Sequence, residues 1–341
     1  MHVHDLIAKI EMEAPPECAA SWDKGGVQVA GGRSQVHKLA VGLDPTPGLI
    51  DQALEWGADF ILVHHPLAMK PDFPSRPDSR YHHVLGALFR HDAWLYAAHT
   101  SLDTQPDGPV QWLARALILQ HVRVLEQTGK QVGRWFRILG ATDAVAGVGR
   151  ALAVQSGIEI FQQHAQTLEV VCGPAQSALV RKAVDDDASG TLRMISQELD
   201  TPSKNVGFGF VGELPSALSW SQFVQTVEGL IEEPLRTVAG VVPDQVRRVA
   251  CCPGSGASLL DRAAKSGAQV YITGDFKYHD AQMAEELGLL VADVGHFRLE
   301  ERMMAFFAKD LRLKLEEFAI EVAFIPGHDA FTHRFLEERP A

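Results

Sequence analysis

Fully apolar runs and the polar residues that stop them set out most of the elements. Phe60-Ile61-Leu62-Val63 is rich in branched side chains, the pattern of a strand covered on both faces. It stops at His64-His65-Pro66, where the proline cannot donate to a ladder. Upstream, residues 6–12 read as a helix broken by Pro15-Pro16, and 21–29 as a Gly-containing turn leading into a strand. Residues 38–44 read as a strand and 48–56 as a helix, so the histidine strand closes a right-handed βαβ unit with short connections. A second such unit spans 248–274: strand 248–253, the loop Gly254-Ser255-Gly256-Ala257-Ser258, helix 259–265 and strand 269–274. Residues 289–294 form another apolar strand, interrupted by Asp293, and 302–318 a strongly amphipathic helix.

The two units align. A shift of 210 positions lays Gly57-Ala58 on Gly267-Ala268, Asp51 on Asp261, Ala53 on Ala263 and Phe60-Ile61-Leu62 on Val270-Tyr271-Ile272. Further on, a shift of 197 lays Tyr81-His82 on Tyr278-His279, His99 on His296, Leu102 on Leu299 and Asp103 on Glu300. The 13 surplus residues of the first copy fall in the Pro-rich loop 66–80. All βαβ units share a pattern, but the ordered recurrence of Tyr-His and His-x-x-x-acid favours duplication. It implies two half-domains facing each other across a site built from both.

Between them, residues 128–204 differ in character. They read strand 135–140, helix 144–155, strand 158–162, strand 168–172, helix 176–184 and strand 191–198. That βαββαβ order is the ferredoxin-like split motif, and its short alternating strands without an acid/His cluster mark an inserted accessory domain. Residues 207–215 are Gly-punctuated, and Ser219-Trp220-Ser221-Gln222 opens helix 223–231 as a Ser/Gln capping box. The expected organisation is α/β, with a first half over 1–127, the insert over 128–204 and a second half over 205–341.

Composition narrows the function classes. The 341 residues suggest two or three domains, and 46% hydrophobic with 22% charged residues is enough for a sizeable core. A net charge of −12 argues against a general nucleic-acid or anionic-membrane surface, while leaving room for a local basic pocket. No apolar run approaches the roughly 20 residues of a membrane helix. Met1-His2-Val3-His4-Asp5 lacks the basic and apolar regions of a signal peptide. Cys18, Cys172, Cys251 and Cys252 contain no C-x-x-C pair and read as reduced thiols, so the expected location is the cytoplasm.

Candidate chemistry sits at the strand ends. Two adjacent imidazoles beyond the carboxyl end of a parallel strand stand where α/β sheets collect ligands, the alternative being a hydrogen-bonded strand cap. If a helix begins near His296, then His296 and Glu300 are stacked at i and i+4. They share the stripe through Met303, Met304, Phe307 and Leu311, which is the buried face. A buried carboxylate needs a partner, which a metal ion supplies; the alternative is a helix-start Glu beside a functionless His. Together, His64, His65, Asp103, His296 and Glu300 are too few for two closed structural shells. They suit a two-metal centre in which carboxylates bridge and water fills the open positions. Imidazole and carboxylate without thiolate favour Zn, Fe, Mn, Co or Ni over Mg or Ca. Water bridging two such ions would be hydroxide, a hydrolytic nucleophile. Glu300 and His99 are the candidate catalytic residues, His99 by orienting Asp103. Asp44, Asp275, Lys277, Tyr278 and His279 are candidates for supporting or substrate-contacting roles, Asp44 equally as a turn residue before Pro45. Gly254-Ser255-Gly256 reads as either an anion cradle or a tight βα turn.

Five ordered motifs carry a family resemblance. They are Trp22-Asp23 with Gly26-Val27-Gln28-Val29, then His64-His65-Pro66-Leu67, then His99-Thr100-Ser101-Leu102-Asp103. Ile272-Thr273-Gly274-Asp275-Phe276-Lys277-Tyr278-His279-Asp280-Ala281 and Gly295-His296-Phe297-Arg298-Leu299-Glu300 complete the set. In both halves, though not in the insert, the chain closely resembles the Nif3-like family, which includes GTP cyclohydrolase 1 type 2 homologues. The resemblance implies two divalent transition-metal ions per chain, held by His64, His65, Asp103, His296 and Glu300. It also implies ring-like homohexamers with the metal sites facing an internal cavity, and an insert similar to PII or CutA proteins. Lys24-Gly25 stands where the family has Asn-Val, and Ser101 where it has Asn; neither touches a proposed ligand. The expected function is a metal-dependent hydrolase of a nucleotide-like or phosphorylated small molecule, GTP cyclohydrolase-like by resemblance. The alternative is a non-catalytic metal-binding or regulatory assembly acting through partners. No purine-reading motif is visible.

Overall fold

The computed structural model describes residues 1–70, 73–155 and 157–331. The chain opens with α1 (Val3–Glu13), β1 (Gly26–Val29), β2 (Lys38–Gly42), α2 (Pro47–Trp56) and β3 (Phe60–Val63). Then come α3 (Arg80–His91), β4 (Trp94–Ala97) and two short helices, α4 (Thr100–Asp103) and α5 (Trp112–Ala116). Local chemistry sets these bounds. α2 begins where Thr46 Oγ1 accepts the Leu49 N–H at 3.2 Å, with Pro47 in the first turn, and it ends at Gly57 in left-handed backbone. α3 starts at Ser79, whose hydroxyl accepts the His82 N–H at 3.1 Å. β3 is buried at all four positions, as its apolar run implied, because parallel strands flank it and packed side chains cover both faces.

The middle of the chain runs β5 (Gln120–Leu139), α6 (Thr142–Ala153), β6 (Ile158–His164), β7 (Thr167–Cys172), α7 (Ser177–Asp185) and β8 (Arg193–Ser219). The strands expected over 135–140 and 191–198 are the far ends of strands of 20 and 27 residues. These two pair antiparallel from Gln120↔Glu213 to Leu139↔Arg193, so positions 128 and 204 lie inside a continuous ribbon. The Gly-punctuated stretch 207–215 stands within β8. Gly209 has φ +61°, and a Cβ there would come within 2.7 Å of the Cys251 carbonyl oxygen, so glycine lets the backbones approach. The strands lie in the order β6-β7-β5-β8, and α6 and α7 cover one face over Phe136, Val145, Leu152, Val170 and Val180.

β8 leads on to α8 (Trp220–Ile231), β9 (Thr237–Ala239), β10 (Gln245–Ser255), α9 (Leu260–Lys265) and β11 (Val270–Gly274). The described chain closes with α10 (Tyr278–Glu286), β12 (Leu290–Asp293), α11 (His296–Leu315) and β13 (Glu321–Phe324). The Ser219/Gln222 capping box of α8 is present. One sheet has the order β1-β4-β3-β2-β13 and the other β6-β7-β5-β8-β10-β11-β12-β9. β2, β3 and β4 are parallel with β1 antiparallel at the edge; β10, β11 and β12 are parallel with β9 antiparallel at the edge. Residues 71 and 72 of the Pro-rich loop, and 332–341 of the second half, lie outside the described residues.

α11 sits between the sheets, against β2 and β13 on one side and β10 and β11 on the other. Leu299, Met303, Met304, Phe307, Leu311 and Leu315 form its buried stripe. Trp112 locks the helix in place: its indole N–H donates to the Leu299 carbonyl at 3.0 Å, and its ring stacks on Phe306. Truncating Phe307 to Ala should therefore cost about 3–5 kcal/mol. Leu313→Ala, on the same helix but 66% exposed, should change stability by less than about 0.5 kcal/mol. Urea denaturation compares the two, and equal midpoint shifts would place α11 outside the core.

Candidate metal centre

Four histidines meet where the ends of β3 and β4 approach the start of α11. Each has one ring nitrogen tied to a fixed oxygen. His64 Nδ1 lies 2.9 Å from the Ala98 carbonyl and His65 Nδ1 2.9 Å from Asp44 Oδ1. His99 Nδ1 lies 2.7 Å from Asp23 Oδ1 and His296 Nδ1 2.7 Å from Asp275 Oδ2. An oxygen at Nδ1 fixes ring orientation and tautomer and leaves Nε2 as the ligand atom.

Three of those Nε2 atoms surround Glu300. His64 Nε2 is 3.7 Å from Oε1, while His65 and His296 Nε2 are 3.1 and 2.8 Å from Oε2. His64 Nε2 also lies 3.6 Å from Asp103 Oδ1, and the His65 and His296 Nε2 atoms are 3.3 Å apart. Two groups have ligand atoms mutually within 4.8 Å: His64, His65 and His99, and His65, His296 and Glu300.

Backbone geometry makes the convergence possible. The His64 and His65 N–H groups both reach the Leu43 carbonyl at 3.1 Å, which turns the chain at the end of β3 and sets Asp44 beside His65. Gly254, at φ +70°, leaves the space that Glu300 needs, since a Cβ there would stand 2.3 Å from Oε1. Asp275 holds His296 from a non-glycine left-handed conformation, φ +57°, a strained backbone of the kind found at ligand sites.

The electrostatics describe a site short of positive charge. His64 Nε2 and Asp103 Oδ1 are buried without a hydrogen-bond partner among the described residues, while Glu300 Oε2 is faced by the His65 and His296 imidazoles. Each of these two atoms costs about 1–3 kcal/mol when left unpaired, and a cation would satisfy both together with Glu300. Burial pushes His64 down to about 3. Burial also opposes charge on His65 and His296, but carboxylates overcome it: Asp44 and Glu300 carry His65 up to about 10, and Glu300 with Asp275 carries His296 up to about 9. Glu300 resists its own burial because the surrounding imidazoles hold its carboxyl well below the usual range. Burial beside Glu300 pushes Asp103 well above that range. Burial opposes ionisation of Asp23 too, but hydrogen bonds from His99 and Thr100 hold it far down.

His64, His65, His296 and Glu300 are thus brought together as a cluster, and Asp103 reaches it through His64. His99 corrects an expectation: it is held by Asp23 and does not orient Asp103. Asp103 stands one helical turn further on and turns its Oδ1 toward His64. Asp44 is a partner of His65 as well as a turn residue. Gly254-Ser255-Gly256 is not an anion cradle: Gly254 and Ser255 end β10, the Gly256 N–H is already taken by Thr273 Oγ1 at 3.0 Å, and the helix beyond has only six residues. Lys277 and Asp280 cap α10, and Tyr278 packs on His279 with 73% of its surface exposed. All four cysteines are free thiols. Sequence reading missed Asp23 as a histidine partner, and no local spacing could have exposed it, because 76 positions separate it from His99. No helix among the described residues is long and apolar enough to cross a membrane.

Fold and site together define a mixed α/β protein with a His/Glu cluster able to hold a metal ion. More particularly, the chain belongs to the Duf34/NIF3 (NGG1p interacting factor 3) family, whose model matches residues 1–330. It is similar to the GTP cyclohydrolase 1 type 2 homolog of Halalkalibacterium halodurans, 26% identical over 369 residues that cover 96% of this chain and 97% of that relative. Among solved structures it is similar to a Bacillus cereus protein related to NIF3, with a TM-score of 0.77 and 26% identity over 98% of this chain and 99% of the other. Staphylococcus aureus SA1388 shares the fold, with a TM-score of 0.70 at 21% identity over 98% and 99% of the two chains.

Protonation of the cluster sets the pH dependence of metal uptake. In the metal-free protein, protonated His65 and His296 stabilise the fold fully below the ordinary value of 6.5. That contribution disappears as pH rises through about 10 and about 9 respectively. A divalent cation must displace those protons, so its affinity should rise between about pH 6 and 8, with protons released. Calorimetric titration of Zn²⁺ into chelator-stripped protein, in buffers of different ionisation enthalpy, measures both. A pH-independent affinity without proton release would contradict the protonation pattern.

Proposed function

We propose that the protein is a metal-dependent hydrolase acting on a nucleotide-like or phosphorylated small molecule, with two divalent transition-metal ions held by His64, His65, Asp103, His296 and Glu300. One observation carries the reading: Glu300 turns Oε1 toward His64 and Oε2 toward His65 and His296, with His64 Nε2 and Asp103 Oδ1 buried and unpartnered beside it. Glu300 would be a ligand common to the centre, and His64, Asp103, His65 and His296 would complete the set that holds the ions. The imidazole and carboxylate donors suit Zn, Fe, Mn, Co or Ni. Such ions, when bound, supply Lewis acidity and water of lowered pKa. Asp44 and Asp275 keep the His65 and His296 rings aimed at the centre. His99, held at Nδ1 by Asp23 and standing beside His64 and His65, would be placed to accept a proton from water adding to a bound substrate. The name carried by the relatives makes GTP the first substrate to try.

The chain is read as two half-domains, 1–127 and 205–341, around a ferredoxin-like insert over 128–204, in a cytoplasmic homohexamer. The β6-β7-β5-β8 order with two helices on one face supports the insert. It also favours a second reading, a non-catalytic metal-binding or regulatory assembly acting through partners, because small modules of this kind commonly work by binding.

Screening the metal-reconstituted protein against nucleotides, GTP included, and simple phosphoesters tests the first reading. Turnover should require metal, and Glu300→Gln should remove both most of the bound metal and the activity. Glu301→Gln is the control, because Glu301 faces away and accepts the Gly327 N–H at 2.6 Å. Silence across the panel from fully loaded protein favours the second reading. Equal metal loss in both variants would remove Glu300 from the site.

The insert has its own test. Lys130 faces Asn205 across the β5–β8 ribbon, so replacing residues 131–204 with an Asn-Gly hairpin turn closes the gap. The product should stay folded and bind metal; an insoluble or metal-free product would make the insert structural.

A further inference from the structure

Trp22 is 57% exposed, whereas the other five tryptophans are buried or half-buried. Its exposure does not come from a loose loop. The Asp23 N–H donates to the Ala20 carbonyl at 2.9 Å, closing a β-turn that carries Trp22 in its third position. Both ends of the turn are fastened to Thr100. The Ala20 N–H donates to Thr100 Oγ1 at 2.9 Å, and Asp23 Oδ2 accepts the Thr100 N–H at 3.0 Å and its hydroxyl. The other oxygen of Asp23 holds His99. One carboxylate thus fixes both the backbone that presents the indole and the imidazole that borders the candidate metal cluster.

The indole packs edge-to-face on His99, with ring centroids 5.8 Å apart. The His99 ring is in turn 5.2 Å from that of His64 and 5.6 Å from that of His65. Trp22 therefore stands one ring away from the cluster, rigid and open to solvent. Its sequence neighbours Ser21, Asp23, Lys24 and Gly25 are small or polar. A lone, anchored indole beside a polar cluster offers a flat π-face at low entropic cost, which suits a planar ring.

We propose that Trp22 is a stacking platform for an aromatic heterocycle, and that it biases the site toward ring-bearing substrates over aliphatic phosphoesters. The proposal rests on the hydrolase reading and adds a substrate class to it. Stacking on an indole is tolerant of ring identity, so Trp22 selects a heteroaromatic ring without choosing between purine and pyrimidine.

Calorimetry of the metal-loaded protein with GTP, UTP and inorganic triphosphate tests this. GTP and UTP should both bind more tightly than inorganic triphosphate. Trp22→Ala should weaken GTP and UTP by about tenfold or more while leaving inorganic triphosphate and metal content unchanged, and Trp22→Phe should restore most of the loss. The proposal is overturned if Trp22→Ala binds GTP as the wild type does, if it weakens inorganic triphosphate equally, if it loses metal, or if no nucleotide binds. Trp22-dependent GTP binding without turnover supports the platform and ends the hydrolase reading. Metal-dependent turnover of aliphatic phosphoesters alone does the reverse.

Discussion

Glu300 is a carboxylate with 5% of its side chain exposed, placed between two sheets, and much of the structure follows from how it is compensated. A buried ion costs several kcal/mol unless charges and donors surround it. Here α11 brings the carboxylate from one side, and the turn after β3 brings His64 and His65 from the other. Neither segment could make this arrangement alone. Holding it requires the two sheets to keep their spacing, and α11, packed against both, keeps it.

The same helix supplies the force that buries the charge. Glu300 lies on the face that carries Met303, Met304, Phe307 and Leu311, all in the core. Apolar burial along that stripe draws the helix inward, and Glu300 goes with it because a helix moves as a rigid body. Backbone detail then settles the last ångströms. Gly254 leaves room for Oε1, and Trp112 fixes the start of the helix through the Leu299 carbonyl.

Around the centre, carboxylates do the orienting. Asp44, Asp275 and Asp23 each hold one imidazole by Nδ1, so three histidines present Nε2 without the freedom to turn. Asp23 goes furthest, since it also ties the turn bearing Trp22 to α4. A chain of net charge −12 thus spends several of its acidic side chains on internal positioning rather than on the surface. That arrangement is compatible with a cation at the centre, because Asp44 and Asp275, which raise the basicity of His65 and His296, also strengthen metal ligation by those rings.

The two βαβ units, the fully buried β3 and the phase that puts His296, Glu300 and the Met303–Leu311 stripe on one helical face were all legible in the linear chain. Each depends on residues a few positions apart, where strand and helix periods and end caps act. The reach of β5 and β8 was not legible, because glycines that signal turns locally are needed there for close passage of neighbouring strands. Asp44 and Asp275 were legible as supporting candidates, though not which ring each holds; the Ala98 and Asp23 partners of His64 and His99, 34 and 76 positions away, and the pinning of Trp22 were not legible. Those contacts form only when separate strands and turns are brought within hydrogen-bonding distance. No pattern of near neighbours encodes that approach, so the tertiary structure alone decided which oxygen holds which ring.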